Sequence, residues 1–345
     1  MNRTMPAGRP TLRLIARRCG CSPNTVSLAL KRDPRVVDAR AKEIRAAAEF
    51  LGYRPDPKVA QVMSHIARRS RPHLSKLAVL VGADFKQPDP WRNGSWLERF
   101  YLSMSQRMIE YGYTFDCFWL GQPRMSTTRI RQVMVHRGIE GLVVFSYARA
   151  PAAIDFDFSG FAASVIGRGL AEPRLDATGG NLHNDLDCVV RRANQLGYKR
   201  IGLALPAASA ARSLHCWEAA YQFYQLGVPS RNRVPACIFH PANPRSLLKW
   251  VRRFKPDCIV GVIDTYLALQ EFGFSMPKNF GFATLSQDES LPDVAGIDLP
   301  HQLIASKAVD IVVEKLRSDK RGLPENPELI LYDGKWLDGA SLPPR

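Results

Sequence analysis

The first 57 residues carry the apolar spacing of three short helices. Apolar side chains recur every three or four positions at Leu12, Ile15 and Ala16, at Val26, Ala29 and Leu30, and at Ile44, Ala47, Ala48 and Leu51. Gly20 ends the first run, while Ser22 and Pro23 suit the start of the second and Asp38 the start of the third. Two short helices joined by a tight turn that contains glycine are typical of a helix-turn-helix, with a plain three-helix bundle as the alternative.

From residue 76 onwards, apolar runs alternate with amphipathic stretches. The apolar runs predict strands at 77–81, 114–120, 142–145, 163–166, 200–205, 234–239, 258–262 and 282–285. The amphipathic stretches predict helices that include 96–111, 127–136, 185–196, 213–226 and 302–316. Alternation of this kind produces parallel sheets covered by helices on both faces. We expect two such halves, with chain crossings near 165 and 290.

Charge concentrates at the amino-terminal end of the 345-residue chain, whose formal net charge is +16. Residues 1–72 hold sixteen Lys and Arg against five Asp and Glu, a balance of +11. Such a balance favours a nucleic-acid partner. An anionic membrane surface is the alternative, but no long basic amphipathic stretch supports it. Seven scattered cysteines indicate reduced thiols, and neither a signal peptide nor a membrane-spanning segment is expected.

Several linked pieces of the head resemble one family. The segments SPNTVSLAL (22–30), Arg35-Val36, AAA (46–48) and LGYRP (51–55) resemble the DNA-binding head of LacI/GalR-type bacterial transcription regulators. Less specific segments at 196–202, 274–281 and 287–288 extend the resemblance over nearly the whole chain. It implies a head at 1–57, a hinge helix and basic linker at 58–72, and a two-lobed, periplasmic-binding-protein-like domain at 73–345. That domain would bind an effector and dimerise.

The resemblance also assigns roles in the head. If the second helix lies in the major groove, the base-reading residues are Pro23, Asn24 and Leu28, and the phosphate contacts are Thr25, Ser27 and Arg35. Asn24 can pair bidentately with adenine, whereas Leu28 replaces the Arg common in the family and cannot hydrogen-bond guanine. Helix capping or a solvated face is the structural alternative for Thr25 and Ser27, and a plain surface charge is that for Arg35.

The segment after the head resembles the family's minor-groove hinge. Residues 58–67 can form one short helix after the prolines at 55 and 57. In the resembled family this helix pairs with its dimer mate and wedges an apolar side chain into a base step. The wedge position falls on Val62, with Met63 next to it. A plain linker helix is the alternative.

The effector cleft is expected between the two lobes, at the carboxyl ends of strands. Arg212 and Asp264 follow two strands at the family's effector-contacting positions, and together they suit a polyol or a carboxylated ligand. Asn181 stands where the family usually has Asp, and Asp185 where it has Gly. Trp91 and Tyr147 could stack on a sugar. A structural ion pair or a surface charge is the alternative for Arg212 and Asp264, and core packing is the commoner explanation for the two aromatic residues.

These observations predict a transcription regulator that acts as a repressor. It would bind a near-palindromic operator as a homodimer in the bacterial cytoplasm, at the nucleoid, and a small ligand such as a sugar or derivative would modulate it. No cofactor, metal or catalytic residue is predicted, because the phosphate-binding, hydrolase and metalloprotease motifs are missing from the sequence. A cytoplasmic α/β enzyme or a solute-binding protein with an accessory basic head is the alternative function.

Overall fold

The computed structural model describes residues 11–30, 36–53, 75–83, 85, 91, 96–145, 152–287 and 290–345. The chain divides into two compact units, Met1–Pro72 and His73–Arg345. Within the described ranges, no helix has the length and apolar character that crossing a membrane requires.

The described part of the first unit contains three helices, α1 (Leu12–Cys19), α2 (Pro23–Leu30) and α3 (Asp38–Phe50). The Thr11 hydroxyl accepts a hydrogen bond from the Leu14 N–H and caps α1, and Gly20 ends that helix in the left-handed region with φ 59°. The buried residues of this unit come from all three helices and form one small core: Ile15, Ala16, Cys19, Val26, Ala29, Ala41, Ile44 and Ala48. The predicted helix-turn-helix arrangement is therefore present.

The second unit alternates strands and helices. Its strands are β1 (Lys76–Val81), β2 (Thr114–Trp119), β3 (Ile139–Phe145), β4 (Ala152–Ala153), β5 (Ala162–Ile166), β6 (Leu170–Glu172), β7 (Asp176–Gly180), β8 (Ile201–Pro206), β9 (Cys237–Phe239), β10 (Cys258–Gly261), β11 (Gly281–Thr284), β12 (Gly296–Asp298), β13 (Leu329–Tyr332) and β14 (Lys335–Leu337). Its helices are α4 (Trp96–Glu110), α5 (Thr127–His136), α6 (Leu182–Gln195), α7 (Ala207–Arg212), α8 (Cys216–Leu226), α9 (Arg245–Phe254), α10 (Ile263–Glu271) and α11 (His301–Arg317).

Two six-stranded sheets form the two lobes. The amino-terminal lobe has the order β13-β7-β5-β3-β1-β2, and every pair in it is parallel. The carboxy-terminal lobe has the order β14-β12-β11-β10-β8-β9, in which the edge strand β14 runs antiparallel to β12 and the other described pairs are parallel. Each sheet has a hydrophobic core on both of its faces, which explains the continuous apolar runs of strands such as β1 and β3.

The chain crosses between the lobes three times. The first crossing leads from β7 through Asn181 to α6, and the second leads from β12 through residues 299–300 to α11. The third joins β13 to β14 at residues 333–334. The expected positions near 165 and 290 were therefore wrong for the first crossing, early by about ten residues for the second, and incomplete because the third was missed.

The helix predicted over 213–226 begins three residues later in the structure, and the short helix before it was not predicted. α7 ends at Arg212 and α8 begins at Cys216. Leu214 and His215 lie between them with φ of 49° and 58°, in the left-handed region. Residues in that conformation cannot continue a right-handed helix. This break sets where α7 ends, and Arg212 lies at that end.

Candidate DNA-binding head and interlobe cavity

Helix α2 turns one face to the core of the head and leaves the other accessible. Val26 and Ala29 are fully buried, so the opposite face consists of Pro23, Asn24, Thr25, Ser27 and Leu28. Pro23 and Asn24 are exposed, and the other three are partly exposed. The five residues expected to contact DNA from this helix therefore share its accessible side. This is the surface that a major-groove helix must present.

Ser22 caps α2 and also engages Thr25. The Ser22 hydroxyl accepts a hydrogen bond from the Thr25 backbone N–H at 3.0 Å, and the two hydroxyl oxygens lie 2.9 Å apart. The Thr25 side chain therefore takes part in the helix cap, which was the structural alternative for this residue. A hydroxyl keeps further hydrogen-bonding capacity, so the cap leaves a phosphate contact open to Thr25.

Helix α3 holds the carboxyl ends of the other two helices through arginine side chains. Arg40 donates to the carbonyl oxygen of Cys19, the last residue of α1. Arg45 donates to the carbonyl oxygen of Ala29 at 3.2 Å, near the end of α2. Carbonyls at helix ends lack partners within the helix, and a cation there also interacts favourably with the helix dipole. These contacts fix the orientation of α2 in the head.

A groove beside the start of α2 carries positive charge. Arg13, Ala16, Arg17, Gly20, Cys21 and Pro23 line it. Arg13 and Arg17 are both exposed, and they belong to α1. The sequence alone gives them no role beyond their charge, because it is the packing of α1 against α2 that places them next to Pro23. Guanidinium groups at this position suit a phosphate oxygen.

Some predicted residues lie outside the described residues. These are Arg35 in the head, Val62 and Met63 in the hinge segment, and Tyr147 in the ligand domain.

A cavity of about 200 Å³ lies between the two lobes of the ligand domain. Its walls are Phe100, Gly167, Arg168, Gly179, Gly180, Leu182, Ser209, Arg212, Ser213, Trp217, Val262, Ile263, Asp264, Ser286, Leu299, His301 and Ile304. Both lobes and the first two crossings contribute to this set. The carboxyl ends of β5, β7, β10 and β11 lead into the cavity, as expected for a ligand site in parallel sheets.

Arg212 and Asp264 both line this cavity. Arg212 ends α7 and donates to the Ser209 hydroxyl at 3.0 Å. Asp264 is exposed in the first turn of α10. Arg168, for which the sequence pattern predicts no role, joins them from the opposite lobe, where Gly167 turns the chain after β5 with φ 85°. Its guanidinium donates to the Cys216 sulfur at 3.0 Å, across the cleft.

Two other predicted effector residues lie elsewhere. Asn181 is at the first crossing and donates to the Asp333 carboxylate at 2.8 Å, so it links the first crossing to the third. Trp91 is only 6% exposed and stacks on Tyr101, with ring centroids 4.3 Å apart, in the core of the amino-terminal lobe. Neither residue is among those that line the cavity. The described residues contain no group of three or more His, Cys, Asp or Glu that could hold a metal ion.

Comparison with known proteins identifies the head. The family described as "Bacterial regulatory proteins, lacI family" matches residues 11–56. The head is therefore similar to the heads of this family. The sequence is also 40% identical over 77 residues to the HTH-type transcriptional regulator GntR of Pseudomonas aeruginosa. That alignment covers 21% of this chain and 22% of the relative's length. The predicted resemblance to LacI/GalR-type regulators is thereby confirmed, and these relatives of the lacI head are regulators and not enzymes.

Solved structures share the fold of the whole chain. A transcriptional regulator CelR–cellobiose complex has a TM-score of 0.56 at 15% identity, with 96% of this chain and 100% of that chain covered. A lac repressor dimer bound to operator and the anti-inducer ONPF has a TM-score of 0.53 at 14% identity, with 97% and 100% covered. The predicted fold class, a helical lacI-type head joined to a two-lobed α/β domain with parallel sheets, is confirmed.

Proposed function

We propose that the chain is a sequence-specific DNA-binding transcription regulator that acts as a repressor. The observation that carries this proposal is the accessible face of α2. This face presents Asn24, Thr25 and Leu28, and it lies beside the groove lined by the arginines of α1. The head that carries it matches the lacI family. Exposed polar groups on a rigid helix suit base reading, and the neighbouring arginines suit the phosphate backbone. The proposed place of action is the cytoplasm, at the DNA of the nucleoid.

The DNA site is proposed to be a near-palindrome bound by a homodimer. A single α2 can contact only a few bases, so a two-fold pair of heads increases both affinity and specificity. The solved lac repressor bound to operator is a dimer, which supports the same arrangement here. Residues 58–72, with Val62 and Met63 at the minor-groove wedge, would connect each head to the ligand domain and contact the centre of the site.

A small ligand in the interlobe cavity is proposed to modulate DNA affinity. Arg168 and Asp264 reach the cavity from opposite lobes, so a ligand that contacts both favours one arrangement of the lobes over others. The solved relative with cellobiose bound supports a sugar or a sugar derivative as the ligand class. Guanidinium groups with a carboxylate suit either a polyol or a carboxylated polyol.

Genome-wide footprinting of the bound protein tests the proposal. The expected result is a small set of sites that share a near-palindromic motif and overlap promoters. A protein with Asn24→Ala should lose the preference for one base in each half-site, because the side-chain amide that reads it is removed. Recovery of sequences without a common motif would contradict the proposal.

A further inference from the structure

Two buried side chains in the cavity wall have polar atoms without a hydrogen-bond partner within the described ranges. His301 is 3% exposed, and neither of its ring nitrogens is bonded. Trp217 is 7% exposed, and its indole Nε1 is also unbonded. Most buried polar groups in folded proteins are paired. Two unpaired groups in the wall of one cavity therefore point to a partner that enters the cavity.

His301 offers both a donor and an acceptor. Burial and the nearby positive charge of Arg99 lower the pKa of His301 to about 4, although the Asp298 carboxylate acts in the opposite direction. Arg99 and Asp298 are themselves paired at 3.4 Å. The imidazole is therefore neutral at neutral pH, so one nitrogen donates a hydrogen bond and the other accepts one. A neutral ring leaves Arg168 and Arg212 as the cationic side chains of the cavity wall.

Apolar side chains pack against His301 on the cavity side. Its ring packs edge-on against Phe100, with centroids 4.7 Å apart, and Ile304 lies one turn further along α11. Phe100, Leu299 and Ile304 also line the cavity. A ligand hydroxyl satisfies such a ring, since it both donates and accepts, whereas a carboxylate only accepts and an ammonium only donates.

The two side chains belong to different lobes. His301 begins α11, which packs in the core of the amino-terminal lobe, and Trp217 lies on α8 in the core of the carboxy-terminal lobe. A ligand that bonds to both therefore bridges the lobes. Loss of either contact should reduce the affinity for the ligand. It should also make the ligand's affinities for the different lobe arrangements more alike.

We propose that His301 and Trp217 are specificity-determining residues that read hydroxyl groups of the effector, one from each lobe. This inference rests on the proposed role of the cavity as the effector site. It assigns the hydroxylated part of the ligand to the apolar wall at Phe100 and Ile304, and leaves any carboxylate of the ligand to the arginines. A cavity of about 200 Å³ restricts the ligand to a compact molecule, since typical sites for drug-sized ligands are larger. A six-carbon polyol, neutral or acidic, is the class that fits.

Ligand binding to the full chain without DNA tests the inference. D-glucose, D-gluconate and hexanoate serve as probes, and isothermal titration measures their affinities. Gluconate and hexanoate share the carbon count and the carboxylate and differ in hydroxyl groups. We expect at least one hydroxylated probe to bind at least roughly 10-fold more tightly than hexanoate, which leaves the buried nitrogens unpaired. Equal binding of hexanoate, or no binding of either hydroxylated probe, would overturn the inference.

Variants then locate the contact. His301→Phe and Trp217→Phe should each weaken binding of the hydroxylated probe by roughly 10- to 100-fold. His301→Gln, which keeps a donor and an acceptor, should recover part of the loss. His240→Phe, at an exposed histidine of the carboxy-terminal lobe, is the matched control and should bind like the unaltered protein. Equal affinities of His301→Phe and the control, both folded by circular dichroism, would overturn the assignment.

DNA binding is measured separately, so the two proposals fail independently. A chain that binds its footprinted sites but ignores hydroxylated probes retains the proposed regulator function and refutes the inference. A chain that binds the probe through His301 but no specific DNA sequence retains the inference about the cavity and refutes the regulator.

Discussion

The carboxylate of Asp185 accepts a hydrogen bond of 2.8 Å from the backbone N–H of Gly334, where the chain crosses between the lobes for the third time. Asp185 is 1% exposed, and its second oxygen has no partner within the described ranges. The site leaves no room for a larger residue at 334, because a Cβ there would lie 2.9 Å from the carboxylate and 2.2 Å from Ile297. The Asn181–Asp333 bond joins the same two crossings.

Asp185→Asn should stabilise the protein at neutral pH. Burial, opposed by the Gly334 hydrogen bond, raises the pKa of Asp185 from 3.8 to about 6. Between about pH 4 and 6, Asp185 therefore keeps its proton in the folded state and has lost it in the unfolded state. The associated stability is present below pH 4 and disappears as pH rises through 6, a change of up to about 3 kcal/mol. Denaturant unfolding at pH 7.5 should show a higher free energy of unfolding for Asp185→Asn. It should show almost no change for Asp187→Asn, which alters an exposed ion pair. Similar free energies of unfolding for the two variants would contradict a destabilising buried charge at Asp185.

His301→Phe should reveal the opposite dependence on pH. The pKa of His301 is lowered to about 4, below its unfolded value of 6.5. The stability linked to the neutral ring is therefore present above pH 6.5 and lost as pH falls through 4, again by up to about 3 kcal/mol. In the unaltered protein, His301 and Asp185 oppose each other between pH 4 and 6. Unfolding curves across this window should fall more steeply on acidification for Asp185→Asn and less steeply for His301→Phe. The same dependence of unfolding free energy on pH in all three proteins would exclude the two pKa shifts.

Lys315→Met should strongly destabilise the amino-terminal lobe. Lys315 pairs with Asp176 at 2.6 Å and donates to the Ala163 carbonyl at 2.7 Å, and both charged side chains are nearly buried. Removing the ammonium leaves the Asp176 carboxylate without its counter-charge, which costs about 3–5 kcal/mol. Arg191→Met breaks the exposed pair with Asp187 and should cost less than about 1 kcal/mol. Thermal unfolding compares the two variants, and equal losses would show that the Lys315 pair behaves like a surface pair.

The sequence predicted most elements that bury a continuous apolar face. The run at 77–81 and the helix at 127–136 appear in the structure within one residue of their expected bounds. Strand β7 was missed because its sequence, DATGG, contains hardly any apolar side chain, and it is buried by its neighbours β5 and β13. Its place in the sheet depends on tertiary pairing rather than on hydrophobic pattern.

Some residues of the candidate sites could be predicted from the sequence, and others depend on how the elements pack. The accessible face of α2 follows from helical spacing, since burying Val26 and Ala29 exposes Asn24. The roles proposed for Arg17, His301 and Trp217 depend on which elements pack together, and local spacing carries no such information. A histidine after Pro300 at a helix start gives no sign in the sequence that both its nitrogens will be buried without partners.

Arg17→Ala should weaken DNA binding to all sequences alike. The side chain lies in the groove beside Pro23 and is expected to contact phosphate, which carries no base information. Loss of one contact in each head of a dimer should lower the slope of log affinity against log salt concentration by about 2. Anisotropy titrations between about 50 and 200 mM salt measure that slope. Arg191→Ala removes an exposed arginine of the ligand domain and should leave the slope unchanged. An unchanged slope for Arg17→Ala would remove this residue from the interface.

The most direct test of the head as a sequence reader compares two duplexes of equal length and composition. One carries the near-palindrome recovered by footprinting and the other a scrambled sequence, and anisotropy at about 150 mM salt gives both affinities. We expect a preference of at least roughly 10³-fold for the palindrome, and a loss of about 1–3 kcal/mol of that preference in Asn24→Ala. Equal affinities for the two duplexes would contradict this expectation.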